Sequence, residues 1–262
     1  MKTVFWSPVP GQSGTTSNVL ATAIMMALTK KNKILLVNAQ HQKYNMERAL
    51  LSTNGFMEHL EDIGIDVLFR NQMVNNITPD TIKNAAISYY SEHLHFIPGT
   101  TKGNLLQFNQ NLKDLFPAIY ETADKIYDFV FIDAPAGYGE ATQMLLNESD
   151  CIVVNLPPYK PVIDDYFNKY HLPNEKLLYL IGKYDRNSRY NIRNLIRSFN
   201  SMRNKIAAVP YNTGFMDSLS DSEIIRYLQK NYIEPVGENE YFIKEVEKAG
   251  NLIDKQRKEV VI

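Results

Sequence analysis

Short apolar runs recur along the chain and are separated by longer polar or mixed segments. Seven of these runs have the length of strands: residues 3–6, 34–37, 94–97, 129–132, 151–154, 177–181 and 206–209. Their apolar residues are nearly continuous rather than alternating, which is typical of parallel strands covered by helices on both faces. The segments between them are long enough for crossover helices. The pattern therefore predicts an α/β fold with a doubly wound, mainly parallel sheet flanked by helices.

The helices predicted from periodicity include three in the widest gap between strands. Met46–Leu51, Gly55–Phe69 and Thr78–Tyr90 have helical patterns, and Pro79 suits the first turn of the last one. The stretch Asn239–Lys258 also has apolar residues at helical spacing, which fits either a helix packed on the sheet or an amphipathic membrane segment. Its polar face mixes acidic and basic residues, so we favour the packed helix.

Composition and charge narrow the class of protein only a little. The 262 residues have a formal net charge of −1, so any surface for nucleic acid or membrane must be local. A single cysteine excludes an internal disulfide and fits a reducing cytoplasm. The longest apolar run, residues 19–28, is too short to span a membrane, and no secretory signal precedes the first strand. Without a repeat or linker, we expect one domain over residues 1–262 in the cytoplasm.

The segment that joins the first strand to the first helix is rich in glycine and hydroxyl residues. Gly11 and Gly14 permit backbone conformations that other residues resist, and Thr15, Thr16 and Ser17 open the helix. Such a loop makes an anion site, because backbone N–H groups converge there and the helix dipole favours negative charge. The spacing is that of a P-loop without the lysine expected after Gly14. The loop alone leaves two interpretations open, a phosphate site or a capped turn.

Polar residues also follow two of the other predicted strands. Asp133 ends the run FVFI, and Asn38 and Gln40 follow the run ILLV. Ligands of doubly wound sheets bind at the carboxyl ends of the strands, so these side chains should lie near the loop. A buried carboxylate without a partner is costly, so Asp133 needs a metal, a cap or hydrogen bonds. A P-loop protein keeps its metal-side aspartate at such a strand end.

These features and the later segments VVNLPP, YLIGKYD and AVPYN resemble the ParA/MinD group of P-loop ATPases over nearly the whole chain. That family has a deviant Walker A loop, KGGVGKTT, and forms dimers that enclose ATP. The family loop falls on residues 10–17, where Pro10 and Thr15 replace both of its lysines. The family's DxD motif falls on residues 38–40, where Gln40 replaces the aspartate that helps to orient the attacking water.

The resemblance also implies a set of site residues. Asp133 matches the Walker B aspartate and Thr16 the magnesium-side hydroxyl, so both are expected to face Mg²⁺, and Gln40 is the candidate to orient water. The nucleotide-binding residues implied are Gly11, Gln12, Ser13, Gly14, Thr15, Thr16, Ser17 and Pro210. The implied cofactors are ATP and Mg²⁺, bound weakly.

The missing cations affect binding and turnover differently. A charge-assisted hydrogen bond contributes about 1.5–3 kcal/mol, so losing the lysine at position 15 should weaken triphosphate binding about 10- to 100-fold. Hydrolysis should suffer further, since the lost cations would have stabilised charge in the transition state. We therefore expect very slow turnover or none.

Four arginines follow the sixth of the predicted strands. Arg189, Arg193 and Arg197 are spaced four apart, so a helix over residues 190–200 would place them in one basic stripe, and Arg186 lies nearby. Such a stripe fits a non-specific DNA surface, a dock for an acidic partner, or a solvated helix face.

A threonine in place of the P-loop lysine is similar to the TadZ/CpaE branch, which positions pilus-assembly machinery. The resemblance implies a homodimeric, nucleotide-responsive or pseudo-ATPase positioning factor for a pilus, secretion or conjugation machine, recruited to the inner face of the membrane or a cell pole. One alternative is a slow partitioning ATPase that binds DNA through its arginines. The other is an interaction module that binds no nucleotide.

Overall fold

A mainly parallel sheet organises the chain. A computed structural model describes residues 1–41, 45–51, 62–90, 92–100 and 102–260. The strands in these ranges are β1 Lys2–Trp6, β2 Ile34–Asn38, β3 Ile87–Tyr89, β4 Leu94–Ile97, β5 Phe129–Asp133, β6 Cys151–Leu156, β7 Leu177–Tyr184 and β8 Ile206–Pro210. They form one sheet in the order β3-β4-β2-β5-β1-β6-β7-β8. Only the pairing of β3 with β4 is antiparallel among these strands.

Helices cover both faces of the sheet. Those described are α1 Thr15–Lys30, α2 Asn45–Leu50, α3 Ile65–Gln72, α4 Pro79–Asn84, α5 Leu105–Ala123, α6 Glu140–Glu148, α7 Lys160–Lys169, α8 Ile192–Ser198, α9 Thr213–Ser220, α10 Ile224–Ile233 and α11 Glu238–Val260. Successive residues of a strand enter opposite cores: Val4 packs in one cluster and Phe5 in the other. Both faces are therefore buried, which explains why the strand sequences are continuously apolar.

The seven strands predicted from apolar runs are all present, but β3 was missed. Thr78–Tyr90 is not one helix, because α4 ends at Asn84 and residues 87–89 form the antiparallel edge strand. Capping by Thr78 and Pro79 starts the helix as expected. The edge strand is only three residues long and partly exposed, so its pattern is too short to outweigh the helical one.

The predicted helix Gly55–Phe69 is not continuous over its described residues, because residues 62–64 are not α-helical. The helix α3 begins at Ile65, because Gly64 has φ 86°, a left-handed conformation outside the helical region. Residues 55–61 of that prediction lie outside the described residues. The predicted helix Met46–Leu51 is confirmed as α2 to within one residue.

The last helix packs on the sheet, as favoured from its mixed polar face. Phe242, Val246 and Ile253 of α11 are buried in the core that also contains α1. Lys30 at the end of α1 pairs with Asp254 of α11 at 3.1 Å. No described helix is both long enough and apolar enough to cross a membrane.

The carboxyl ends of the central strands converge beside the loop that follows β1. In the parallel ladder Phe5 and Asn38 both align with Asp133, so β1, β2 and β5 end at one level. The chain leaves β1 towards β2 on one side of the sheet, while β6 lies on the other side of β1. This change of direction is the switch point at which doubly wound sheets form ligand sites.

Candidate functional site

The loop between β1 and α1 borders an open cavity of about 490 Å³. Gly11 and Gly14 have φ values of 73° and 65°, so both use the left-handed freedom that glycine supplies. Gly14 is the residue before α1, and no side chain caps the helix there. The N–H groups of the first turn have no intrahelical partners, so this helix end favours an anion.

Polar contacts on its buried side hold the loop in place. The Ser7 and Ser13 Oγ atoms lie 2.8 Å apart. The Asn18 side-chain amide of α1 donates to the Ser13 carbonyl at 3.2 Å and to Asn155 Oδ1 of β6 at 2.8 Å. A Cβ atom on Gly182 of β7 would lie only 2.0 Å from the Ser13 carbonyl oxygen. Three strands and α1 therefore determine the shape of the loop.

Three of the predicted residues meet beside the loop. Asp133, 1% exposed, accepts hydrogen bonds at one carboxylate oxygen, Oδ2, from Thr16 Oγ1 at 2.7 Å and from Gln40 Nε2 at 2.6 Å. Gln40 Nε2 is also 3.4 Å from Thr16 Oγ1. The structure thus brings together the side chains that the sequence assigned to the metal side of a nucleotide site.

This cluster fits a magnesium ion on one condition. A hydroxyl and a carboxylate are oxygen ligands of the kind that Mg²⁺ takes, usually with water and phosphate oxygens completing its shell. The Gln40 amide group, however, donates to the Asp133 oxygen that would face the cation. Binding of a cation therefore requires Gln40 to release this oxygen or to turn its own amide oxygen towards the site.

The predicted nucleotide residues do not all face one cavity. Gly11, Gly14, Thr15, Thr16 and Ser17 line the cavity beside the loop. Gln12 is exposed and Ser13 is buried beneath the loop. Pro210 ends β8 and lines a neighbouring cavity with Tyr184 and Tyr241. Pro210 therefore lines a different cavity from the residues of the loop.

The predicted arginine stripe is only partly formed. Arg193 and Arg197 are exposed on α8, one turn apart, but Arg189 precedes the helix because Asn191 caps it. Arg186 lies over the Tyr241 ring at 5.0 Å. The helix is shorter than the predicted 190–200, so only two arginines share its face.

Sequence reasoning missed several residues of this region. Asn18 and Asn155 shape the loop from buried positions, and Arg48 and Lys183 line the cavity. An asparagine inside the apolar helix α1 and another inside the apolar strand β6 were the available signals for the first two. Arg48 lies in α2, and the sequence pattern alone does not show that this helix faces the loop.

A buried glutamate supports the edge of the site. Glu47 of α2 accepts hydrogen bonds from the Asn38 side-chain amide at 2.9 Å and from Gly99 N–H at 2.7 Å. Asn38 in turn accepts from the Gln40 backbone N–H at 3.1 Å. Desolvation by burial raises the pKa of Glu47 above 4.5, and its hydrogen bonds only partly oppose this.

We expect Glu47→Gln to remove part of the pH dependence of stability. An acid with a raised pKa in the folded state holds its proton more tightly than in the unfolded state, so folding loses stability as pH rises from 4.5 through the raised value. The loss is about 1.4 kcal/mol for each unit by which the pKa is raised. Urea unfolding of wild type and variant across pH 4–8 measures it.

The matched control is Glu234→Gln, at an exposed glutamate after α10. The difference in unfolding free energy between wild type and Glu47→Gln should fall with rising pH and then level off. A constant difference over the whole range would contradict the raised pKa.

Comparisons with known proteins agree with this architecture. A family model described as an AAA domain matches residues 1–161. The flagellum site-determining protein YlxH of Helicobacter pylori is 26% identical over 208 residues, which cover 74% of this chain and 70% of that protein.

Solved structures share the fold at low sequence identity. A ParA family ATPase from Chlorobium tepidum has a TM-score of 0.70 at 13% identity, over 95% of this chain and 98% of that one. The cell division ATPase MinD of Pyrococcus furiosus has a TM-score of 0.65 at 16% identity, over 97% and 99%. A plasmid partition protein from Borrelia burgdorferi bound to AMPPNP has a TM-score of 0.65 at 16% identity, over 97% and 99%. The predicted fold class is confirmed.

Proposed function

Since this chain belongs to the AAA domain family and has the fold of ParA/MinD ATPases, we propose that it is a nucleotide-binding positioning factor with a degenerate phosphate loop. One observation carries the proposal: a glycine loop at a helix N-terminus and the Thr16–Asp133 pair border the same part of the sheet edge. The ligand is ATP with Mg²⁺, and residues 1–262 act as one domain.

The loop is suited to bind phosphate groups. Gly11, Gly14, Thr15, Thr16 and Ser17 line one cavity. No Asp or Glu is among the described residues that line it. The helix dipole and the unpaired N–H groups of the first turn favour a polyphosphate there. Thr16 and Asp133 would hold the magnesium ion, which neutralises phosphate charge when bound.

Turnover should be slow, because the residues that stabilise a transition state are replaced. Pro10 and Thr15 stand where the ParA/MinD loop has lysines. Gln40 has no negative charge with which to activate water, and its amide is hydrogen-bonded to Asp133. Without these groups the charge that develops during phosphoryl transfer lacks its usual partners. Binding and partner selection are then the remaining uses of the site.

The positioning role rests on similar proteins. YlxH of Helicobacter pylori is named a flagellum site-determining protein, and a MinD of Aquifex aeolicus is solved in a complex with MinC. We propose that this chain forms a TadZ/CpaE-like homodimer that places a pilus, secretion or conjugation machine, recruited to the inner face of the membrane or a cell pole. Arg186, Arg189, Arg193 and Arg197 are proposed as a partner surface.

Calorimetry should separate binding from turnover. We expect MgATP to bind wild type with a dissociation constant of about 1 mM or tighter, equivalent to at least ~4 kcal/mol. Thr16→Ala should weaken binding in the presence of Mg²⁺, since it removes the hydroxyl beside Asp133. Phosphate release by wild type should not exceed that of Thr16→Ala.

Two outcomes would contradict the proposal. No heat at millimolar MgATP would favour an interaction module without nucleotide. Phosphate release well above the Thr16→Ala level would show a working ATPase. Thr29→Ala, at the other end of α1, is the control for loss of a hydroxyl without loss of the site.

A further inference from the structure

The cavity beside the loop is lined by cations that do not belong to the loop. Arg48 of α2 and Lys183 of β7 are its only charged lining residues in the described part of the chain. Both side chains are exposed, and neither lies within 4.0 Å of a described carboxylate. Neither positive charge therefore has an ion-pair partner among the residues that the structure describes.

The backbone of β7 is distorted where Lys183 lies. Pairing with β8 is regular up to Ile181 and resumes at Tyr184 with a shifted register, which marks a bulge at Gly182 and Lys183. Lys183 has φ 51°, a left-handed conformation that is costly for a residue with a side chain. It is also the one exposed residue of the strand. Bulges beside functional sites often redirect a side chain, and here the bulge directs Lys183 towards the cavity.

Arg48 reaches the cavity from a helix that the core holds in place. Met46, Ala49 and Leu50 of α2 are buried, and Glu47 is anchored to Asn38 and Gly99. The Arg48 carbonyl accepts a hydrogen bond from Ser222 Oγ at 2.6 Å. The helix is therefore fixed on both sides while the Arg48 side chain remains available to a ligand.

We propose that Arg48 and Lys183 supply the phosphate-binding charge that the loop itself lacks. The proposal rests on the proposed function and names the part of the nucleotide that these residues recognise, the polyphosphate. Arginine and lysine both bind phosphate oxygens by charge-assisted hydrogen bonds. The loop has no positive charge at positions 10 and 15, and α2 and β7 thus place two positive charges on the walls of the cavity instead.

The test compares nucleotides of different charge. Affinities of ATP, ADP and AMP, each with Mg²⁺, are measured by calorimetry for wild type, Arg48→Gln, Lys183→Gln and the double variant. Loss of one charge-assisted bond should weaken ATP binding about tenfold, and loss of both about 100-fold. AMP binding should change about twofold or less, because AMP lacks the β and γ phosphates.

Control variants distinguish the effect of charge at the cavity on ATP binding from the effects of net charge and of backbone strain. Lys31→Gln removes an exposed lysine that is also left-handed, with φ 54°, but that does not line the cavity. Arg226→Gln removes an exposed arginine of the helix α10 that does not line the cavity. Neither Lys31→Gln nor Arg226→Gln should alter ATP affinity. Lys183→Gly removes the same charge while relieving the strain, so it should weaken ATP binding and raise the melting temperature.

Each outcome has a distinct meaning. If wild type binds ATP but the double variant binds it equally well, this proposal is wrong and the proposed function stands. Equal losses for AMP and ATP would overturn it too, since these residues would then contact the nucleoside or the α phosphate, which AMP retains, and not the β and γ phosphates. If wild type binds none of the three nucleotides, both proposals fail.

Discussion

Gly182→Ala is expected to destabilise the protein by about 3 kcal/mol or more and to deform the phosphate loop. The added Cβ atom would lie 2.0 Å from the Ser13 carbonyl oxygen and 2.7 Å from Asn18 Nδ2. The Ser13 oxygen is backbone that also accepts the Asn18 amide, so it cannot yield without moving the loop. Urea unfolding and MgATP calorimetry measure the two effects.

Gly139→Ala is the matched control. No heavy atom lies within 4 Å of a Cβ on Gly139, and its φ of −71° suits alanine. We expect a change of about 1 kcal/mol or less there, since restriction of the unfolded chain partly offsets the loss of glycine at the N-cap of α6. If Gly182→Ala unfolds at the same urea concentration as Gly139→Ala and binds nucleotide normally, the close contact of β7 with the loop is wrong.

Thr15→Lys is expected to tighten MgATP binding about 10- to 100-fold, because a lysine at this position regains a charge-assisted bond to phosphate. Thr15 is the first residue of α1 and lines the cavity, so a longer side chain can extend along it. Turnover should stay low in this variant, since Gln40 still bonds Asp133. Adding Gln40→Asp should raise phosphate release above the single-variant level.

The control for added charge is Leu105→Lys, at the exposed first residue of α5 and outside the loop cavity. It adds the same charge at the start of a different helix. Equal ATP affinities for Thr15→Lys, Leu105→Lys and a nucleotide-binding wild type would contradict the placement of phosphate at the start of α1.

The strand and loop predictions succeeded where the signal is local. Continuous apolar runs such as residues 129–132 need no knowledge of the fold to be recognised, because burial on both faces removes alternation. The failures came from short segments with weak patterns. Residues 87–89 became an edge strand through pairing with β4, a contact that no local pattern records.

The same distinction between local sequence signals and long-range contacts applies to the candidate site. Thr16, Gln40 and Asp133 were predicted to meet, because each follows or ends a strand of a parallel sheet and such ends share one edge. That Gln40 donates to Asp133 instead of facing solvent depends on side-chain geometry, so it could not be predicted. Asn18 and Asn155 were missed because they are far apart in the chain and their hydrogen bond forms only on folding.

By itself, the sequence determined seven of the described strands, the glycine loop and the absence of its lysines, because each of these shows in consecutive residues. Only the tertiary structure decided which charges surround that loop. Arg48 and Lys183 are far apart in the chain, and they share one cavity because α2 packs against α1 and α9 and a bulge redirects β7. Long-range packing thus places cations that no local motif contains.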